Sequence, residues 1–574
     1  MNIPRCEHPN PQFERSNWEN LNGKWEFEID KSASGKDRKL FEAEKLSSEI
    51  IVPFCPESSL SGVCEKDFLN SVWYKRTINI PKTNDRVFLH IGACDYFTTV
   101  YINGKEIGTH KGGYSSFSFE ITEAVNEGEN TLVIHALDDN RTRLQPCGKQ
   151  TRELYSCRCD YTRTTGIWQT VWLEYVPQNY IKSVKYYSDS NNGKLLIKAL
   201  VSGKGTFSAK AFYEGNEVGS AKAIANGENA DLTIELSEVH LWEVGNGRLY
   251  DLELQFGEDR VKSYFGLRNV SIDGFKFILN NKSVFQRLVL DQGFYPDGIY
   301  TAPTEEAMIR DIELGLAAGF NGARLHEKVF EPRFLYYCDK AGYMVWGEYA
   351  DVGLNHSEYE AIPTVLREWY EIINRDFNHP SIIGWCPFNE TVPVNGKWQV
   401  DELIEMVYRT TKELDTTRPC IDASGMFHVL TDVFDYHYYE QDVETFKEVH
   451  EKIAKLDFTP ETSVLPGIPT KEQFYHGEAL FASEFGGIGW WEDGDKDVDR
   501  WGYGTKPDTE EEFFERFKGL VETILNTPNV FGFCYTQLYD IEQEKNGLCT
   551  YDRKPKFDLE IFKKINSQKA AIED

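Results

Sequence analysis

Ile383-Gly384-Trp385-Cys386-Pro387-Phe388-Asn389-Glu390 is an apolar run that ends on an amide and a carboxylate. With no polar face, it reads as a parallel strand covered on both sides. Phe481-Ala482-Ser483-Glu484-Phe485-Gly486-Gly487 has the same form further along the chain. Working outward from these two, strands are expected at 284–290, 321–324, 344–348, 382–389, 420–423, 433–437, 481–485 and 530–535. Helical segments are expected between most of them, at 331–340, 363–376, 400–413 and 510–525. Another begins near Thr304, where Ile309, Ile312 and Leu316 form one apolar stripe. Eight strands alternating with helices make a (β/α)8 TIM barrel over 271–574.

The chain ahead of the barrel reads as all-β. Val100-Tyr101-Ile102 meets Lys105-Glu106-Ile107 across Asn103-Gly104, a hairpin signal because both turn residues must accept positive φ. Residues 1–177 fit a jelly-roll sugar-binding domain and 178–270 an immunoglobulin-like β-sandwich. The fold class expected is a multidomain β and α/β protein.

The chain has 574 residues, 41% apolar and 27% charged, enough to bury large cores. Its 92 Asp and Glu against 62 Lys and Arg give a formal net charge of −30. That balance argues against nucleic acid or an anionic membrane as the main partner, since both need a basic face. No apolar leader opens MNIPRCEHPN, and a cytoplasmic protein is expected, with its 12 scattered cysteines reduced. Neither a metal cluster nor a cofactor is indicated by residue spacing.

A barrel places its chemistry at the carboxyl ends of its strands. The polar residues there include Asp291, Arg324, His326, Glu348, Asn389, Glu390, His437, Tyr438, Glu484 and Tyr535. Glu390 and Glu484 each end a buried strand, where a carboxylate is costly unless paired, hydrogen-bonded or used. Two carboxyl groups across a barrel mouth suit glycoside hydrolysis, one protonating the leaving oxygen and one facing the anomeric carbon. Trp385, Trp490, Trp491 and Trp501 are candidates to stack on sugar faces.

Six segments, in order, resemble glycoside hydrolase family 2, the β-galactosidase, β-glucuronidase and β-mannosidase group. They are Asn20–Phe27, Val72–Arg76, Gly166–Trp172, Gly319–His326, Asn389-Glu390 and Ser483–Gly487. The resemblance implies Glu390 as acid/base, Glu484 as nucleophile and Asn389 as the holder of the sugar 2-hydroxyl. It implies Tyr438 as the tyrosine that orients the nucleophile, with His437 or Tyr439 as alternatives. Asp160 is similar to an acidic residue reaching from the jelly roll to the glycone, and Arg324 and His326 match a family Arg-x-x-His element shortened by one residue.

Two segments depart from the family. Leu288–Gly298 brings Asp291 to the expected glycone pocket, and Leu325–Val329 brings Lys328. The Asn-x-Lys carboxylate clamp of typical β-glucuronidases is replaced by Lys545-Asn546-Gly547-Leu548. Arg324 with Lys328 could instead bind a uronate. The expected activity is a retaining exo-β-glycosidase, β-galactosidase-like by family frequency, with a β-hexuronidase and a non-catalytic carbohydrate-binding protein as alternatives. The expected partner is a small glycoside or oligosaccharide, and family members often form dimers or tetramers.

Overall fold

The computed structural model describes residues 3–457, 471, 473, 475–491 and 500–573. Most of 455–480 lies outside them.

At the amino end a six-stranded sheet faces a four-stranded one. Gly128–Leu137 lies at the middle of the larger sheet, antiparallel to both Ser71–Ile80 and Phe97–Ile102. Trp25, Phe27, Tyr74, Ile134 and Leu173 close the core between the sheets. The Asn103-Gly104 turn joins Phe97–Ile102 to Lys105–Lys111, with φ of 50° and 78°. The next sandwich pairs a three-stranded sheet with a four-stranded one. Strand Tyr250–Phe256 alternates buried and exposed residues as a half-buried strand must.

The barrel strands are Gln286–Asp291, Gly322–Leu325, Met344–Glu348, Ile382–Cys386, Val433–Tyr438, Ala479–Gly486 and Val530–Thr536, joined in one parallel, curled sheet. The fifth position expected at 420–423 forms no extended strand. Residues 419–424 bond to the fourth strand only at points, as in Ile421 N to Trp385 O at 2.9 Å and Ser424 N to Phe388 O at 2.8 Å. Towards the Val433–Tyr438 strand, side chains replace the backbone ladder. Asp435 accepts from Ser424 Oγ at 2.5 Å and from Gly425 N at 3.3 Å. Helices Glu305–Ala317, Pro332–Ala341, Ile362–Asp376, Asp401–Leu414 and Glu510–Leu525 lie where the apolar periodicity places them. Thr304 caps the first by accepting from Ala307 N, and Gly342 ends the second at φ 67°. Val443–Ala454 and Leu559–Asn566 are two helices the periodicity did not indicate.

A long jelly-roll loop, 138–165, is docked on the barrel mouth. Cys147 N donates to Val352 O at 2.9 Å and Gly148 N to Ala350 O at 3.0 Å. Gly148 must be glycine here: its φ is 53°, and a Cβ would lie 2.3 Å from Glu327 O. Further along, the Tyr161 hydroxyl donates to Glu544, and Gln543 Nε2 donates to Asp160 O at 3.0 Å. Among the described residues no helix is long and apolar enough to cross a membrane.

Candidate active site

Inward-facing residues at the strand ends converge on Arg324, which is fully buried. Its Nε donates to Glu348 at 2.6 Å, Nη1 to Glu484 at 2.9 Å and to Ser483 O, and Nη2 to Asn389 Oδ1 at 3.0 Å. This planar fork ties the second, third, fourth and seventh strands together, a geometry lysine could not reproduce. His326 lies on the same side of its strand, 3.1 Å from Glu348 and 3.7 Å from Glu484.

Glu484 is 5% exposed, and Tyr439 Oη donates to its second oxygen at 2.5 Å. Burial alone would raise this carboxyl, but His437, His326 and Arg324 outweigh it and hold it below the usual carboxylate range. Glu390 lies at the rim with 22% of its side chain exposed. Its φ of 45° is a left-handed conformation costing about 1–3 kcal/mol for a non-glycine residue, and such strain gathers at functional sites. Glu390 N is held by Ser424 O at 2.9 Å, and Oε1 meets His437 Nδ1 at 2.7 Å.

Burial and the neighbouring Glu484 anion would favour a protonated Glu390, and that imidazole opposes them. Burial raises the Glu390 carboxyl, but the bond and charge of His437, with Lys149 and His326, bring it down to about 2. His437 moves the other way: burial lowers it, and Glu484 with Glu390 raises it above its ordinary value. Both directions favour the proton on the imidazole over the carboxyl. Potential metal-ligand atoms of Glu390, His437 and Glu484 all lie within 4.8 Å of one another, a cluster that sequence spacing did not reveal. Arg324 supplies positive charge at this cluster, and the raised His437 imidazole favours its charged form there.

Asn389 is positioned by its backbone, whose N–H donates to Asp351 at 2.8 Å. Its Nδ2 is buried with no hydrogen-bond partner among the described residues. Asp160 is partly buried in the docked loop, where burial raises its carboxyl against the pull of Lys149, Arg152 and Arg158.

Tyr438, Lys328, Asp291, Trp490, Tyr535 and Trp385 make their contacts away from this cluster, whereas Trp501 packs on Tyr503, which stacks on Tyr439. Tyr438 stacks on Phe446 at 5.4 Å, on the opposite parity of its strand from His437 and Tyr439. Period two along 435, 437 and 439 is the signal that selects Tyr439. Lys328 donates to the carbonyls of Gly293 and Tyr300 and lies over the rings of Trp168, Tyr300 and Phe330. Burial brings it down to about 7. Asp291 accepts from Tyr539 Oη at 2.5 Å and Gly293 N at 2.9 Å, and burial pushes it up to about 6. Lys328 and Asp291 thus brace the loop after the first strand, and Arg324 is committed to its four partners, so the uronate clamp expected of Arg324 and Lys328 does not form. Trp490 packs on Phe513 and Phe557, and Tyr535 packs on Phe485 and on Phe517 of an outer helix. Trp385 is buried and bonds Asp415.

Sequence reasoning did not select Lys149, Tyr161 or Glu544. Glu544 is buried, accepts from Tyr161 and from Asn546 Nδ2 at 2.8 Å, and burial raises it to about 7. Tyr161 also accepts from Gln292 Nε2 at 3.0 Å, linking jelly roll, first strand and eighth-strand loop. No spacing rule connects such residues, because their contact depends on domain docking.

Two family models match: the glycosyl hydrolase 2 galactose-binding domain-like model over residues 57–167, and the glycosyl hydrolases family 2 TIM barrel domain over 270–461. The β-glucuronidase of Canis lupus familiaris is 24% identical over 456 residues, covering 70% of this chain and 67% of that protein. The β-glucuronidase of Paenibacillus borealis is 23% identical, covering 70% and 72%. Among solved structures, a β-glucuronidase from an uncultured Clostridium sp. aligns with TM-score 0.79 at 20% identity, covering 97% and 99% of the two chains. A Ruminococcus gnavus β-glucuronidase in complex with D-glucuronic acid aligns with TM-score 0.78 at 20% identity, covering 98% and 100%. The chain belongs to glycoside hydrolase family 2 and is a glycoside hydrolase, with the family's galactose-binding-like domain ahead of its TIM barrel.

Proposed function

We propose that this enzyme is a retaining exo-β-hexuronidase acting on terminal β-linked uronides of the glucuronide class. The observation that carries the mechanism is the short reach between Glu390 and Glu484, whose nearest potential ligand atoms lie within 4.8 Å. Retaining enzymes hold their carboxyl groups about 5–5.5 Å apart, whereas inversion needs about 6.5–9.5 Å to admit a water. The uronide class is favoured over a β-galactoside by the β-glucuronidase relatives, which displaces the ranking drawn from family frequency.

Glu484 is the nucleophile. Arg324 and Tyr439 keep it ionised and aimed, and it attacks the anomeric carbon as the bond to the aglycone oxygen breaks. Glu390 gives that oxygen its proton, received from His437 Nδ1 across the 2.7 Å bond. The sugar is then an ester of Glu484. Glu390, now a carboxylate, takes a proton from water, the water oxygen attacks the same carbon, and Glu484 is released. Asn389 Nδ2 is the donor for the sugar 2-hydroxyl, and Asp160 faces the glycone from the jelly roll.

A 2-deoxy-2-fluoro-β-glucuronyl fluoride should label Glu484, read by peptide mass spectrometry. Labelling of another residue, or an inverted product by NMR, would sink the mechanism. A panel of aryl β-glucuronide, β-galacturonide, β-galactoside and β-mannoside tests the substrate class, and a preference for either neutral sugar would refute it.

A further inference from the structure

The docked jelly-roll loop runs against the charge of the chain. Between Arg141 and Arg163 it has six basic residues (Arg141, Arg143, Lys149, Arg152, Arg158 and Arg163) against Glu153 and Asp160, in a protein of formal net charge −30. Two are engaged locally: Arg141 on Asp139 and Asn70, Arg163 on the carbonyls of Glu153, Leu154 and Lys66. Arg143, Lys149, Arg152 and Arg158 make no side-chain hydrogen bond or ion pair among the described residues.

Lys149 is held at the mouth by its chain neighbours. The preceding Gly148 is anchored to Ala350 O, beside Glu327. Lys149 O accepts from Tyr161 N at 2.7 Å, and Tyr161 reaches Glu544 beyond the eighth strand. The lysine is thus bracketed by the loops after the second, third and eighth strands, and it is partly buried, as is Arg152, where Arg143 and Arg158 are exposed. Its charge acts on Glu390, Asp160 and Glu327. Of those carboxyls, burial pushes Glu327 well up and raises Asp160, and Glu390 is paired with His437. The barrel's own buried cations are committed, Arg324 to four partners, Lys328 to two carbonyls and Lys556 to Asp540 at 2.7 Å. A partly buried ammonium with no hydrogen-bond or ion-pair partner among the described residues favours an anion.

We infer that Lys149 is the specificity-determining residue of the glycone pocket, its ammonium receiving the carboxylate of the uronide, while Arg152 and Arg158 draw anionic substrates to the mouth. The inference rests on the uronide reading above. The cation comes from the jelly roll rather than from the barrel, so substrate choice depends on domain docking. Arg152 and Arg158 act at longer range, where steering is screened by salt.

The test uses the full chain with 4-nitrophenyl β-D-glucuronide and 4-nitrophenyl β-D-glucoside. Lys149→Met should lower kcat/KM on the glucuronide by about 30- to 100-fold, mainly through KM, the loss expected of one charge-assisted hydrogen bond. The glucoside should lose less than about threefold, since it has no carboxylate to lose. Lys149→Arg should restore most of the glucuronide rate, and Lys149→Gln should give the same split as the Met variant if that variant does not fold. The double variant Arg152→Ala/Arg158→Ala should flatten the salt dependence of kcat/KM on the glucuronide. Equal losses on both substrates, or a split produced by Lys545→Met and not by Lys149→Met, would overturn the assignment. A wild type that prefers the glucoside would instead refute the uronide reading itself, and the role of Lys149 with it.

Discussion

Tyr439→Phe removes a single hydroxyl from the cluster. That hydroxyl lies 2.5 Å from Glu484 Oε2 and 2.9 Å from Thr536 Oγ1, and its ring stacks on Tyr503 at 3.5 Å. Burial and the Glu484 charge raise the phenol well above its ordinary value, so it stays protonated and donates. A hydrogen bond to a charged group is worth about 1.5–3 kcal/mol, which converts to about 10- to 150-fold in rate. The stacked ring remains, so the fold should hold and the loss should fall on kcat as well as kcat/KM. Losing a donor to the ionised form also raises the Glu484 pKa, and the acid limb of the pH–rate profile should move to higher pH. Tyr438→Phe is the paired control. Tyr438 stacks on Phe446 away from the cluster, so its loss should change kcat less than about twofold, as for a surface change remote from the chemistry. The assay is steady-state hydrolysis of an aryl β-glucuronide from pH 4 to 9, with thermal melts of both variants. Equal losses at the two tyrosines, or a Tyr439→Phe enzyme within twofold of wild type, would refute the period-two argument that places Tyr439 on the nucleophile.

Two other perturbations follow from the buried charges. His437→Gln removes the group that stores the proton for Glu390; the raised imidazole holds it above the ordinary histidine range, whereas Glu390 alone titrates as a carboxyl. The alkaline limb of kcat/KM should therefore move down by about one pH unit or more, and an unmoved limb would show that His437 does not share the proton. Lys328 is lowered to about 7 by burial, so between there and the ordinary lysine value the unfolded chain binds more protons than the folded one. Stability should rise with pH over that window, and Lys328→Met should flatten the slope while affecting uronide and neutral substrates alike, measured by denaturant melts at pH 7 to 10. A selective loss on uronides would return Lys328 to the substrate pocket.

Much of this molecule is written locally. Ile382–Cys386 is apolar on both faces because helices and the barrel interior cover both faces, and that pattern places Glu390 at a strand end before any contact is known. Asn103-Gly104 determines its own turn, and Thr304 its own helix start. The fifth barrel position is less legible because Asp435 and Ser424 side chains, rather than a backbone ladder, join it to its neighbour. Tyr439 over Tyr438 follows from strand parity, which is local, but only once the strand's register is known.

Other properties exist only after folding. The sequence determines that Glu390 and Glu484 are carboxylates on buried strands; the tertiary structure decides that His437 lies between them, 2.7 Å from one and 3.4 Å from the other. Sequence makes Arg324 and Lys328 equally available cations. Folding spends the first on four partners and the second on two carbonyls, because a buried charge must be satisfied by whatever the fold brings to it. Lys149 lies far from Glu390 in the chain and acts on it only through the docked loop. Charge interactions depend on distance in space, and no sequence spacing records the distance between a jelly-roll loop and a barrel mouth.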